Sequence, residues 1–456
     1  MNRNTEVFET VPVPQALRIM AVPTIIGQLI VLIYNMADTF FVGRTNNPYM
    51  VAGASLILPI FNITLSLAGL GGIGGGALIS RLLGEKNPDE AKKVYHFSVY
   101  LSVIIAAAFS VLTLIFMKPL MELLGAGPDT YEYARNYAFC VIVCGSIPTV
   151  LSGALSNLLR SVGESKKAGF GVTMGGLINI GLDPLFMFVL LPEGNEIIGA
   201  GAATCLSNVI SCVYFLAVIG RLGEDSVLSL KPVRGLPTRQ SIRGIFGVGL
   251  PSALTTLLFD LDYVVIDRLM SGYGDQALAA VGIVLKAERL PLNIGVGLCQ
   301  GMMPIAAYNY SAGNYRRMRE TKNFTCLVGL VCAAVSITLY ELFAGQIMHF
   351  FIDDAQTVAL GTDFLRARCL ATPLMFLSFF HVHLFNAFGK GRHALFLGVM
   401  RWAVFNIPML FLLNAVFGMY GIVWSQVTAD TLNVALSLIF YREYEKKTLI
   451  PAEKAA

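Results

Sequence analysis

The stretch Met20-Ala-Val-Pro23-Thr-Ile-Ile-Gly-Gln-Leu-Ile-Val-Leu-Ile-Tyr34-Asn-Met36-Ala-Asp38 decides the fold. An α-helix needs about 20 predominantly apolar residues to cross a bilayer. This run is apolar almost throughout and ends in a carboxylate. A second such run, Ala168–Leu191, holds Asn179 and Asp183. A charged side chain at the bilayer centre costs roughly 2.5–3.5 kcal/mol on insertion scales, so buried acids there line a cavity or an ion path as a rule. Acids on several such helices imply that the chain moves something across a membrane.

Composition agrees. The 456 residues are 55% hydrophobic and 14% charged, with a mean hydropathy of +0.66, whereas soluble domains carry about 25% charged residues. The net charge of +4 is small and no basic patch is interleaved with aromatics, so no nucleic-acid partner is expected. Eight cysteines fall almost wholly in apolar segments without zinc-site spacing, and read as buried free thiols. Met1–Val13 is polar and lacks an apolar region followed by a cleavage site, so the first apolar segment is expected to stay.

Outward from the first run, twelve spans are read at 15–43, 51–80, 94–117, 134–159, 168–191, 198–220, 242–270, 277–308, 323–347, 362–388, 393–415 and 418–441. The connections alternate in charge. Segments 81–93, 160–167, 221–243, 316–322 and 390–392 and the tail are rich in Lys and Arg, while 192–198 carries Glu193 and Glu196 and 353–354 is Asp-Asp. The excess of Lys and Arg marks the cytoplasmic side, which puts both termini there.

The chain also repeats itself. Pro23 and Pro251 open long spans, Gly84 matches Gly313, and Arg160-Ser-Val-Gly163 matches Asn386-Ala-Phe-Gly389, at offsets of 226 to 229 residues. The expectation is an all-α integral membrane protein with twelve transmembrane helices in two pseudo-symmetric six-helix lobes. The lobes are read as 1–220 and 244–456, joined by a cytoplasmic linker, 221–243. A substrate path between the lobes, opened alternately to each side by rocking, follows from such an arrangement.

Several residues could carry chemistry. Tyr34 and Asp38, and Asn179 and Asp183, are four apart and share a helix face, with Thr204 and Ser207 as further members. They read as a proton or cation site, against the alternative of polar glue between helices. Pro23 reads as a hinge or a static kink. Asp260 and Asp267 lie two turns apart on one face of the seventh span and Asp262 points elsewhere, while the eighth span holds Lys286, Glu288 and Arg289; this set is read as substrate- or ion-binding acids of the cavity or as internal ion pairs. His381 and His383 diverge on one helix and read as hydrogen-bonding or proton-linked groups rather than metal ligands. Gly69-Leu-Gly71-Gly-Ile-Gly74 follows no strand and reads as a close-packing helix face. Neither a Gly-x-x-x-x-Gly-Lys-Ser/Thr loop nor a catalytic constellation occurs, so neither direct ATP use nor enzymatic activity is expected.

Those stretches resemble the multidrug and toxic compound extrusion (MATE) family. The resemblance rests on Pro23…Tyr34-Asn-Met-Ala-Asp38-Thr-Phe-Phe-Val-Gly43, Gly74-Gly-Gly-Ala77-Leu-Ile-Ser80-Arg-Leu-Leu-Gly84, Leu123-Leu-Gly-Ala126 and Leu159-Arg160-Ser-Val-Gly163. In the second half it rests on Tyr273-Gly-Asp275…Ala279-Ala-Val-Gly282 and Gln300-Gly301-Met-Met-Pro304…Tyr308-Asn-Tyr310. It covers nearly the whole chain and is closest to the DinF-like and MepA-like branch. That likeness implies a proton-linked site at Asp38, Asn179, Asp183 and Thr204, although Gly199-Ala-Gly-Ala-Ala-Thr204 departs from the branch's usual Gly-Ala-Ala-x-Ala-Thr. The NorM-like branch pairs an acid on the seventh helix with one on the tenth; here the tenth offers His381 and His383. The implied function is export of amphipathic, often cationic, organic compounds in exchange for protons or sodium ions, by a monomer in the bacterial inner membrane, with no cofactor or metal. The alternative is a flippase for a lipid-linked precursor.

Overall fold

The computed structural model describes residues 5–222 and 226–455. It is built of helices, apart from short turns and the described, non-helical part of the connection between Gly220 and Arg239, with no strand among those residues. Ten helices are individually long and apolar enough to cross a membrane, and two bent pairs bring the number of spans to twelve. We number the spans α1 Val13–Gly43, α2 Pro48–Gly84, α3 Pro88–Ile115, α4 Pro128–Cys144 with Ser146–Ser161, α5 Ser165–Leu190 and α6 Glu196–Gly220. The second lobe has α7 Arg239–Tyr273, α8 Asp275–Ser311, α9 Tyr315–Phe351, α10 Ala355–Cys369 with Thr372–Ala387, α11 Gly391–Phe417 and α12 Met419–Lys454.

The bends repeat the two-fold plan. Spans α4 and α10 break by 48° and 46°. Each break sits just before a proline, Pro148 in α4 and Pro373 in α10. A proline has no N–H for the carbonyl four residues back, which here belongs to Cys144 or Cys369, the last residue of the preceding segment. Both spans therefore break where their ladder loses a donor. Tight turns repeat as well. Gly163 and Gly389 both take the left-handed conformation, with φ of 89° and 71°.

One sequence match needs correction. The left-handed partner of Gly313 (φ 74°) is Lys86 (φ 57°), not Gly84. The next residues, Asn87 and Asn314, both cap the following helix, accepting from the N–H of Glu90 and Arg317. Gly84 has a different task. A Cβ there would lie 2.3 Å from the Tyr308 carbonyl oxygen, so the glycine lets α2 touch α8 across the lobes.

Most of the core is local to a lobe. One cluster packs Ile57, Ile60, Tyr137, Val141 and Met187 of the first, and another packs Ile266, Val284, Met348, Phe364 and Ile422 of the second. The lobes meet along α1, α2, α7 and α8. At that seam small residues permit backbone contact, as they do between membrane helices generally. A Cβ on Gly74 would stand 2.4 Å from the Ile245 oxygen, and one on Gly301 would stand 2.5 Å from the Ala21 Cα. The Gly69–Gly76 run therefore packs helices. The seam lies toward the ends of the helices that carry the Lys/Arg-rich loops. A short helix, Glu6–Glu9, closes it further. Phe8 is fully buried and stacks on Tyr308, and Arg317 donates to the carbonyls of Val7, Phe8 and Val11.

Candidate functional site

Above that seam the lobes part around a cavity of about 440 Å³, walled by α1, α2, α4, α5 and α6 on one side and α7, α8 and α10 on the other. Its wall is amide- and hydroxyl-rich. Gln28 donates across the lobes to Gln300 (3.0 Å) at the seam. Tyr34, Asn179 and Thr204 all face the cavity, which joins it to the acidic cluster of the first lobe.

That cluster draws on four helices, α1, α4, α5 and α6. Asn179 Nδ2 donates to Asp183 Oδ1 (3.3 Å) on its own helix and to Thr204 Oγ1 (3.4 Å) on α6. Asp183 is fully buried and Asn179 and Thr204 nearly so. Asp38 on α1 accepts a hydrogen bond from the Tyr137 hydroxyl (3.2 Å) on α4, and its charge is close enough to interact with that of Asp183. Asp38 Oδ1, Asp183 Oδ2 and Asn179 Oδ1 are buried acceptors without partners. Buried polar atoms are rarely left so. Two carboxylates and an amide oxygen sharing unmet acceptor capacity are chemically suited to a proton or a small cation. The one-turn spacings on α1 and α5 point their polar residues inward, and Gly176, beside Ile30 and Tyr34, lets those helices approach. Tyr137 was not among the sequence candidates; nothing in the sequence separates it from Tyr131 and Tyr133.

Pro23 lies inside α1, which remains one continuous helix. One turn of it is held by α5: Ser165 donates to the Met20 carbonyl (2.6 Å), and Thr24 and Ser165 hydroxyls are 3.1 Å apart.

The second-lobe candidates are dispersed. Of Asp260, Asp262, Glu288, His381 and His383, only His383 lines the cavity. Asp262 is buried and accepts from Asn406 Nδ2 (2.6 Å). Asn406 also reaches Gln426 (3.4 Å), which donates to Asp430 (2.6 Å). Asp430 is held by Arg401 through contacts of 2.6 and 3.1 Å. Glu288 pairs with Arg368 of α10 at 2.9 Å, both buried. Asp260 is half-buried and feels the charge of Arg289, whose guanidinium sits over the Tyr263 ring at 4.9 Å. Asp267 is exposed. His381 and His383 each bond the carbonyl four residues back, at Leu377 and Phe379. No group of metal-binding side chains is present among the described residues. Gln426 and Asp430 are one turn apart on α12 and form a pair that helical spacing could have flagged, whereas Arg401 and Asn406 meet partners on other helices that the sequence does not single out.

Two six-helix lobes around a central cavity that is closed on one side, with an acidic cluster opening into it, define a polytopic membrane transporter. The family model MatE matches residues 23–185 and again 251–412, one copy in each lobe. The chain belongs to the MatE family, a family of transporters and not of enzymes. It is 30% identical over 450 residues to the multidrug export protein MepA of Staphylococcus haemolyticus (strain JCSC1435), covering 98% of this chain and 97% of that one. It is 31% identical over 447 residues to the protein of the same name from Staphylococcus saprophyticus, with the same coverage. A crystal structure of MATE in complex with MaL6 superposes with a TM-score of 0.92 at 21% identity, covering all of both chains.

Proposed function

We propose that this protein is a secondary active efflux antiporter that exports amphipathic organic compounds of several kinds in exchange for protons or sodium ions. The observation that carries the reading is the buried cluster of Asp38, Asn179, Asp183 and Thr204, with three acceptor oxygens unmet and a face on the inter-lobe cavity. Binding the coupling ion there changes the charge and hydrogen bonding of α1 and α5. Helix α1 is also one side of the seam against α8, so the same event biases the contact between lobes. Coupling of this kind needs an ion that binds the two arrangements with different affinity. The likeness to multidrug export proteins along 98% of the chain supports the breadth of cargo. We place both termini and the linker, 221–243, on the cytoplasmic side of a bacterial inner membrane, on the Lys/Arg bias of the loops. The two lobes are read as 1–220 and 244–456, and the protein as a monomer.

A lipid-linked precursor is the weaker cargo. Its pyrophosphate would call for clustered basic side chains, and the cavity wall has one arginine and no lysine among the described residues. The test is dye export from proteoliposomes under separately imposed proton and sodium gradients. Export driven by one gradient and not by the other names the ion; export driven by neither removes the antiporter reading.

A further inference from the structure

The chain ahead of α1 is covalently part of the first lobe but is held by the second. The short helix Glu6–Glu9 leads through Thr10, Val11 and Pro12 into α1, which starts at Val13. Hydrogen bonds tie this segment to α8 and α9. Asn309 Nδ2 donates to the Phe8 carbonyl (3.0 Å), the Tyr308 hydroxyl donates to the Glu9 carboxylate, and Arg317 donates to the carbonyls of Val7, Phe8 and Val11. The fully buried Phe8 ring shares one apolar cluster with both lobes: Ala16 and Met20 of α1 and Leu83 of α2 belong to the first, Ile305 and Tyr308 of α8 to the second. The segment lies ahead of residue 23, where the match to the family model begins.

The anchor leaves little slack. Arg317 holds the Val11 carbonyl, and α1 begins two residues later. Two residues reach at most about 7 Å when fully extended. Pro12 is already extended, with φ −50° and ψ 138°, which leaves that stretch about 1 Å short of its full reach. The first turns of α1 cannot fray freely to lengthen it, because Val13, Ala16 and Leu17 are buried. The start of α1 therefore cannot draw away from α9 far enough to admit an organic cargo while the anchor holds. We propose that segment 5–12 is a latch on the cytoplasmic gate: it must undock from α8 and α9 before the lobes can part on that side, and the strength of its docking sets how often the cavity opens to the cytoplasm. This rests on the alternating opening of the lobes in the export reading above and adds the element that governs it. The latch stabilises only the arrangement in which both walls around Phe8 are together, which is what lets it bias a two-state equilibrium.

The test has two arms on the full chain. In the first, Phe8→Ala removes the wedge and keeps the backbone anchors. The reporter is Ala77→Cys, a fully buried position nearly two turns deeper along α2 than Leu83, in a cluster with Leu17 and Ala21 of α1 and Val248 of α7. A thiol there meets a maleimide when the lobes part, and its labelling rate follows the open population when opening is fast. Mass spectrometry is expected to show that rate rising about ten- to a hundredfold with Phe8→Ala, the factor carried by burial of one large apolar side chain. Cys369, buried inside the second lobe, is the internal reference and is expected to stay protected. An unchanged rate at Ala77→Cys, or an equal gain at Cys369, would overturn the latch. In the second arm Glu9→Cys and Tyr308→Cys are joined by a bis-maleimide with a disulfide in its spacer, which pins the segment to α8. Dye export from proteoliposomes by this double variant is expected to stop with the tether in place and to resume when dithiothreitol cleaves it, while wild type treated alike keeps exporting. Undiminished export with the tether in place would overturn the latch and leave the export reading standing. If Phe8→Ala opens the seam as expected but wild type exports dye under neither gradient, the export reading fails and the latch stands.

Discussion

The Arg401–Asp430 pair gives the most quantitative prediction. Arg401 and Asp430 are 3% and 0% exposed, and the guanidinium makes two contacts to the carboxylate. It also lies over the Trp402 ring at 4.1 Å and the Phe379 ring at 4.6 Å. Replacing Arg401 by Met removes the charge and keeps most of the volume. Asp430 then retains one donor, Gln426, for two buried oxygens. Removing one partner of a buried ion pair costs about 3–5 kcal/mol, and the lost ring contacts add about 1 kcal/mol. For a cooperative unit of about 200 residues, 1 kcal/mol shifts the unfolding temperature by about 2–4 °C. Arg401→Met is therefore expected to lower the melting temperature in detergent by on the order of 10 °C. Asp430→Leu added to it removes the stranded charge and is expected to recover most of the loss. Scanning fluorimetry of the two single variants and the double variant closes the cycle. A loss in Arg401→Met under about 2 °C, or a double variant as unstable as the sum of the singles, would refute the reasoning that these second-lobe charges are a structural network.

Three further outcomes follow. Arg317→Ala strips the Val7 and Val11 carbonyls of this donor and leaves the Phe8 carbonyl to Asn309 alone, at a net cost of roughly 2 kcal/mol for a half-exposed charged donor; hydrogen exchange across Val7–Val11 should rise, and unchanged protection contradicts the anchoring of the N-terminal segment by Arg317. Gly301→Val forces a side chain into the space held by Ala21, so the seam should part and Cys299, fully buried beside it, should become labelled by maleimide, as mass spectrometry would show; an inert Cys299 contradicts the close approach. Reporter fusions at Lys166 or Arg316 should report the cytoplasm and fusions at Glu193 or Asp354 the outside, and the reverse pattern inverts the topology.

The spans were legible because bilayer thickness imposes a length that apolar runs either meet or miss. The seventh run, read over 242–270, belongs to a helix spanning Arg239–Tyr273, since the polar first turn extends past the lipid. The breaks in α4 and α10 were written in Pro148 and Pro373, but a proline alone does not distinguish a break from the unbroken passage of α1 through Pro23. Pairs one turn apart, such as Asn179 and Asp183, were readable because helical periodicity places them together. Contacts between distant helices were not: Tyr137 with Asp38, Arg368 with Glu288, and Asn406 with Asp262 are set by packing, and the sequence offers each of them many equivalent partners.

The coupling role of the first-lobe cluster is tested most directly by dye export from proteoliposomes containing Asp38→Asn or Asp183→Asn, with thermal stability measured alongside. Each change removes a titrating group while nearly keeping its shape, and a neutral amide costs less to bury than a charge. The account predicts folded, thermally intact proteins whose gradient-driven export is abolished. Full export by both variants would contradict it, and lost export with collapsed stability would make the cluster a structural network instead.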